Sequence, residues 1–131
     1  MKKLIIILML SLPIVASSQA MIGSSANKIR ATYPEKTFKT DYTKSGNKYI
    51  SATFNDVTFC YYLDENNIST DCMAIPKYIS GVNSLVERYN GIYTIISSKE
   101  WKAYLANGEI MNIKLFYSKE NEISYFRYLP D

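Results

Sequence analysis

The spacing of apolar and polar residues in the first half of the chain predicts one helix followed by four strands. Ala26, Ile29 and Tyr33 recur at helical spacing after two serines that can cap a helix, and Pro34 ends the pattern. Turns rich in Ser, Gly, Asn and Asp then separate the alternating segments, which cover 37–43, 48–54, 57–63 and 68–75.

The second half of the chain repeats this order. Val82, Leu85 and Tyr89 place an apolar stripe on a helix that begins near Ser80. Asn-Gly between two later apolar segments is a strong hairpin signal. Four strands are predicted after the helix, at 92–98, 101–106, 109–117 and 122–129.

A short sequence match links the two halves. The segment YLDENNIS, 62–69, and the segment YSKENEIS, 117–124, share five of eight residues, and each forms the last predicted hairpin of its half. We therefore predict an α+β fold of two tandem helix-plus-four-antiparallel-strand pseudo-repeats, 24–76 and 77–130. They would share one core, with the helices on one face of the sheet. The alternative is two unrelated hairpins that share turn chemistry.

This tandem helix-plus-four-strand order resembles the β-lactamase inhibitor protein fold. The opening of the first helix, Gly23-x-Ser25-x-x-x-Ile29, is similar to helix openings in small envelope domains of the SmpA/OmlA type, although the lipoprotein cysteine of those domains is absent. The first resemblance rests on element order across the chain after residue 20. It implies a secreted protein that binds another protein with its sheet.

The first twenty residues have the pattern of a secretory signal peptide. Lys2 and Lys3 precede an apolar run, and Ser18-Gln19-Ala20 is a small-x-small cleavage site. The apolar run, 4–12, is shorter than the roughly 20 residues that span a bilayer, so a membrane anchor is the less favoured alternative. We expect cleavage after Ala20, a single domain at 21–131 in the periplasm or the medium, and no stable membrane insertion.

Loss of the signal peptide leaves the chain almost neutral. The whole sequence has 15 Lys+Arg and 12 Asp+Glu, and residues 1–20 hold two lysines and no acid, so 13 basic residues face 12 acidic ones. A net charge of +1 gives no electrostatic footprint for nucleic acid, and none is expected as a partner.

Residues that carry common catalytic chemistry are missing from the sequence. It contains no His, which excludes Ser-His and Cys-His nucleophile pairs, and no Gly-rich phosphate loop. The acidic turn 64–67 lacks the Gly and the distal Glu of a calcium loop. We expect a non-catalytic protein with no cofactor and no metal.

The two cysteines lie symmetrically about a predicted turn. Cys60 and Cys72 are each six residues from Asn66, which places them opposite each other in the hairpin. In an exported protein this arrangement predicts a Cys60–Cys72 disulfide.

Both faces of the predicted sheet are rich in apolar residues. One face of the second hairpin is assigned to the helix-covered core, with Ile113, Leu115, Tyr117, Ile123 and Tyr125. Alternation then assigns to the other face Phe59, Tyr61, Leu63, Met73, Phe116, Phe126 and Tyr128. Either this face is buried against the other half or a second copy in a homodimer, or it is exposed and binds a protein partner.

In the second case the aromatic residues would be the anchors of the interface, namely Phe59, Tyr61, Phe116, Phe126 and Tyr128. The sequence as a whole thus predicts a small exported bacterial binding protein, an inhibitor or an adaptor. The alternative is a structural or assembly component of the cell envelope.

Overall fold

The computed structural model describes residues 21–105 and 108–131, which form two helices and one antiparallel sheet of eight strands. The fold is therefore α+β. The predicted signal peptide at 1–20 and Asn107 of the predicted Asn-Gly turn lie outside the described residues.

The first helix, α1 (Ala26–Thr32), begins and ends where the sequence predicts. The Ser25 hydroxyl accepts a hydrogen bond from the Lys28 backbone N–H at 3.1 Å, which caps the first turn. The chain leaves the helix at Tyr33, because the following Pro34 cannot continue it. Ala26 and Ile29 are buried.

The remaining elements follow the predicted order, with ends that differ by a few residues. The second helix is longer than predicted and runs through Gly91 to Ile92. The strands of the first half are β1 (Lys39–Tyr42), β2 (Lys48–Phe54), β3 (Val57–Leu63) and β4 (Ser69–Pro76). After α2 (Ile79–Ile92) come β5 (Thr94–Ser97), β6 (Glu100–Tyr104), β7 (Ile110–Ser118) and β8 (Ile123–Pro130). Neither helix is long and apolar enough to cross a membrane.

The two halves meet in the middle of the sheet, whose strand order is β1-β2-β3-β4-β8-β7-β6-β5. The last strands of the halves, β4 and β8, pair antiparallel, with Cys72 opposite Tyr128 and Ala74 opposite Phe126. The strands at the two outer edges are therefore β1 and β5.

The pairing register defines two faces of the sheet, because residues opposite each other project to the same side. One row of paired residues crosses six strands and is buried throughout: Ile50, Tyr61, Cys72, Tyr128, Ile113 and Trp101. We call this side the core face. The adjacent row belongs to the opposite side, the second face: Ser51, Cys60, Met73, Arg127, Lys114 and Glu100.

Helix residues contact aromatic rings of the core face. The Tyr89 ring of α2 packs edge-to-face against Phe126 and Trp101, with centroid distances of 5.5 and 5.7 Å. Its hydroxyl is hydrogen-bonded to the Tyr128 hydroxyl. At the end of α1, the Tyr33 ring meets Phe54 at 4.9 Å. Aromatic packing therefore joins the helices to the sheet.

A β-bulge reverses the predicted faces of β3. The register between β3 and β4 shifts between Tyr62 and Leu63, so that Cys60 lies opposite Met73 and Tyr61 lies opposite Cys72. A slip of one residue exchanges the two faces of a strand. Phe59, Tyr61 and Leu63 are for this reason buried on the core face.

The predicted Cys60–Cys72 disulfide is wrong for the same reason. Cys60 projects to the second face and Cys72 to the core face, and both thiols are free. A turn without the bulge would have placed them side by side.

The matched segments YLDENNIS and YSKENEIS also differ in register. Tyr62 lies opposite Asp71, whereas Tyr117 lies opposite Ser124. On β8 the pairing places Phe126 and Tyr128 on the core face, and Tyr125 on the second face, the reverse of the predicted assignment.

Candidate functional site

Four of the five aromatic residues predicted to bind a partner are core residues. Phe59, Tyr61, Phe126 and Tyr128 all project to the core face and are at most 2% exposed. Their predicted exposure is wrong, because the bulge in β3 and the register of β8 turn them inward. Phe116 alone of the five lies on the second face, where it is 38% exposed.

The second face carries a different set of interaction residues at its centre. The Tyr62 ring lies 5.4 Å from the Tyr49 ring on the neighbouring strand. The Tyr62 hydroxyl donates to the Met73 sulfur at 3.9 Å, a weak hydrogen bond. These three side chains are only partly buried, which leaves aromatic and thioether surface open to contact.

An ion pair crosses the junction between the two halves on this face. One terminal nitrogen of Arg127 on β8 donates to Asp71 on β4 at 2.6 Å. The side chains of Arg127 and Asp71 are 36% and 17% exposed, so water still screens the pair. Arg127 Nε is buried and has no hydrogen-bond partner among the described residues. The guanidinium therefore retains donor capacity beyond the bond to Asp71.

A second aromatic pair lies on the other side of this centre. The Phe116 and Tyr125 rings, opposite each other on β7 and β8, stack at 5.5 Å with an interplanar angle of 21°. Along the strand direction, the register places the Phe116–Tyr125 pair on one side of Arg127 and Tyr62 on the opposite side, each one row of second-face residues away. With about 4.8 Å between strands, the two aromatic pairs are on the order of 20 Å apart.

An open depression adjoins the ion pair. Its volume is about 560 Å³, and its floor contains Tyr62, Asp71, Met73 and Arg127. The β1–β2 turn contributes hydroxyl and amide groups to its wall: Thr43, Ser45 and Asn47. The depression therefore offers charged and hydrogen-bonding groups beside the partly apolar side chains of Tyr62 and Met73.

Tyr62 and Cys60 of the second face are neutral at physiological pH. Burial, the fields of Cys60, Asp71 and Tyr49, and an opposing effect of Arg127 raise the pKa of Tyr62 to about 12. Burial also raises the pKa of Cys60 to about 11. A thiol that stays protonated is a poor nucleophile. The groups on this face are therefore suited to binding by contact and hydrogen bonding.

The described residues contain no cluster of three or more Cys, Asp or Glu side chains that could hold a metal ion. Comparison of the chain with protein-family models, with curated proteins and with solved structures finds no significant match.

Sequence reasoning missed Tyr49, Tyr62, Asp71, Tyr125 and Arg127 as members of this site. One signal for them was present in the strand EISYFRYL, where a charged residue interrupts an aromatic series. A buried, unpaired arginine is costly, so Arg127 marks the face that retains contact with water. Its neighbours Phe126 and Tyr128 must then face the core.

Proposed function

We propose that this chain is a small exported, non-catalytic binding protein that contacts a protein partner through the second face of its sheet. The observation that carries this proposal is the composition of that face. Tyr, Phe, Met and Arg are enriched at protein interfaces, and here they occur together across the central strands, at Tyr49, Tyr62, Met73, Phe116, Tyr125 and Arg127.

The rigidity of the sheet supports the same function. Each of these side chains stands on a strand that is paired on both sides, so a partner would bind a surface that is already ordered. The two aromatic pairs, Tyr49–Tyr62 and Phe116–Tyr125, offer apolar anchors. Between them the Arg127 side chain is 36% exposed, and its guanidinium suits a carbonyl or carboxylate oxygen of the partner.

We further propose that the chain consists of two pseudo-repeats, 24–76 and 77–130, whose helices cover the core face. The strand order is symmetric about the β4–β8 junction, and in each half one helix precedes four strands. Such an arrangement leaves one wide sheet face for a partner, as the resemblance to the β-lactamase inhibitor protein fold implies. Export rests on the signal-peptide pattern of residues 1–20.

The second candidate function is a structural or assembly component of the cell envelope. Exposed isoleucines at the β5 edge of the sheet favour it, because an assembly would cover them.

Partner capture with matched variants tests the proposed function. Immobilised wild-type protein, Tyr62→Ala, Phe116→Ala and Tyr42→Ala are each incubated with envelope and medium fractions of the producing organism. Tyr42 is 60% exposed on the edge strand β1, away from the second-face pairs, and serves as the control.

Once a captured protein is identified and purified, its affinity for each variant is measured. We expect Tyr62→Ala and Phe116→Ala to weaken binding by about 2 kcal/mol, roughly 30-fold, if these rings are anchors. Tyr42→Ala should bind as the wild type does. Equal affinities for all four proteins, or no partner retained specifically by the wild type, would contradict the proposal.

A further inference from the structure

The strand at one outer edge of the sheet, β5, is uncharged and exposed along its whole length, and two of its four residues are isoleucines. All four residues of β5 are exposed, with Ile95 at 54% and Ile96 at 51%. Ile92, at the end of α2, adds a third isoleucine at 53%. Ile96 has no opposite residue on β6, because the register shifts between Ile95 and Ser97.

The other outer edge is built differently. All four residues of β1 are exposed as well, but Lys39 and Asp41 carry charge on it. Charged side chains are a common protection of edge strands, whose free N–H and C=O groups can pair with another chain. The segment 93–98 around β5 contains no charged residue, so this edge lacks that protection.

We propose that β5 pairs antiparallel with β5 of a second copy of this chain, forming a two-fold homodimer. The two sheets of eight strands would then join into one of sixteen. Both copies offer the same unpaired backbone edge, which is the condition for a self-complementary interface. Side-chain contacts between the isoleucines of the two copies would remove apolar surface from water.

The charge pattern favours a second copy over pairing of β5 with β1 of a neighbouring molecule. In antiparallel self-pairing within 93–98, no charge faces another charge in any register. Pairing with β1 would bring Lys39 and Asp41 against exposed isoleucines and partly desolvate both charges. Such head-to-tail pairing would also leave a free edge at each end and continue into a filament.

The dimer would leave the second face available for the proposed partner. Tyr62, Arg127 and Phe116 lie on β3, β8 and β7, away from the β5 edge. Loss of the dimer and loss of partner binding are therefore separately measurable.

Sedimentation equilibrium of the purified protein over a wide concentration range tests the inference. The wild type should follow a reversible monomer–dimer equilibrium. Ile96→Lys should raise the dimer dissociation constant at least ten-fold. Each dimer contains the substitution twice, and each lysine places a charge at the β5–β5 interface. The control is Ile79→Lys, the same substitution at a position that is 71% exposed at the start of α2, and it should dimerise as the wild type does.

Thermal unfolding of both variants, followed by circular dichroism, shows whether they fold. Hydrogen–deuterium exchange gives a second readout that needs no variant, since the β5 amides of the wild type should become more protected as concentration rises. A wild type that stays monomeric, species that grow beyond the dimer, or equal effects of Ile96→Lys and Ile79→Lys would each overturn the inference.

Discussion

Tyr61 and Tyr62 are neighbours on β3, yet they lie on opposite faces of the sheet and in opposite environments. Tyr61 is completely buried on the core face, and its hydroxyl has no hydrogen-bond partner among the described residues. Tyr62 is half-buried on the second face, where it contacts Tyr49 and Met73. The same residue type therefore stabilises the fold on one face and is available for binding on the other.

The largest expected difference between the faces is the cost of removing an aromatic ring. Phe126→Ala should lower the free energy of unfolding by about 3–5 kcal/mol, because the fully buried ring packs against Tyr89 and Trp101 and its loss leaves a cavity. Phe116→Ala on the second face should cost about 1 kcal/mol or less, since water can fill the space. Urea unfolding of the two variants measures this difference. Equal losses of stability would contradict the assignment of the faces.

Alkaline pH should destabilise the protein through the buried thiol of Cys60. The pKa of Cys60 rises from about 9 to about 11 on folding, so the unfolded chain releases this proton at lower pH than the folded one. The contribution of the thiol to stability is complete below pH 9 and is lost as the pH rises through 11. Cys60→Ala should make the decline over this window shallower. Thermal melts of wild type and variant between pH 8 and 11, in reducing buffer, measure the decline in stability. Parallel declines would contradict it.

Removal of a single hydroxyl group should change the free energy of unfolding differently at two buried tyrosines of the core face. Tyr128→Phe should cost about 1 kcal/mol, because it removes the hydrogen bond to the Tyr89 hydroxyl. Tyr61→Phe should be neutral or stabilising, because its buried hydroxyl has no partner among the described residues. Chemical unfolding curves give both values. A clear loss of stability in Tyr61→Phe would show that its hydroxyl is hydrogen-bonded in solution.

A small, salt-dependent effect on stability is expected from the ion pair of the second face. Asp71→Asn should cost up to about 1 kcal/mol, because Asp71 and Arg127 remain partly exposed and screened by water. The loss should shrink when the salt concentration is raised, because screening already weakens the pair. Denaturant unfolding at low and high salt measures both quantities. A loss of several kcal/mol would mean that the pair is a structural element of the junction between the halves.

Sequence patterns predicted the order of both helices and all eight strands, because turn residues and helix stops mark those ends locally. The capping serine, Pro34 and the Asn-rich turns are such marks. The pairing of β4 with β8 could not be read in the same way, since contacts between distant strands leave no local signal in the chain.

One extra residue in the chain reversed the predicted faces of β3. The bulge after Tyr62 places one extra residue on β4, and every side chain of β3 then projects to the side opposite to the predicted one. The predicted disulfide and the predicted exposure of Phe59 and Tyr61 depended on that register, whereas Phe126 and Tyr128 were misassigned through the register of β8. On β8, Arg127 is a charged residue between the buried rings of Phe126 and Tyr128, and this feature of the sequence indicated the correct face of that strand.

Hydroxyl-radical footprinting with mass spectrometry tests most directly whether the second face, and not the core face, is the binding surface. In the folded free protein, Tyr62 and Phe116 should be oxidised while Tyr61 and Phe126 are protected. When the captured partner is bound, oxidation of Tyr62 and Phe116 should fall and that of the exposed control Tyr42 should not change. Oxidation of Tyr61 and Phe126 in the folded protein, or a bound partner that leaves Tyr62 and Phe116 as reactive as before, would contradict the proposed binding face.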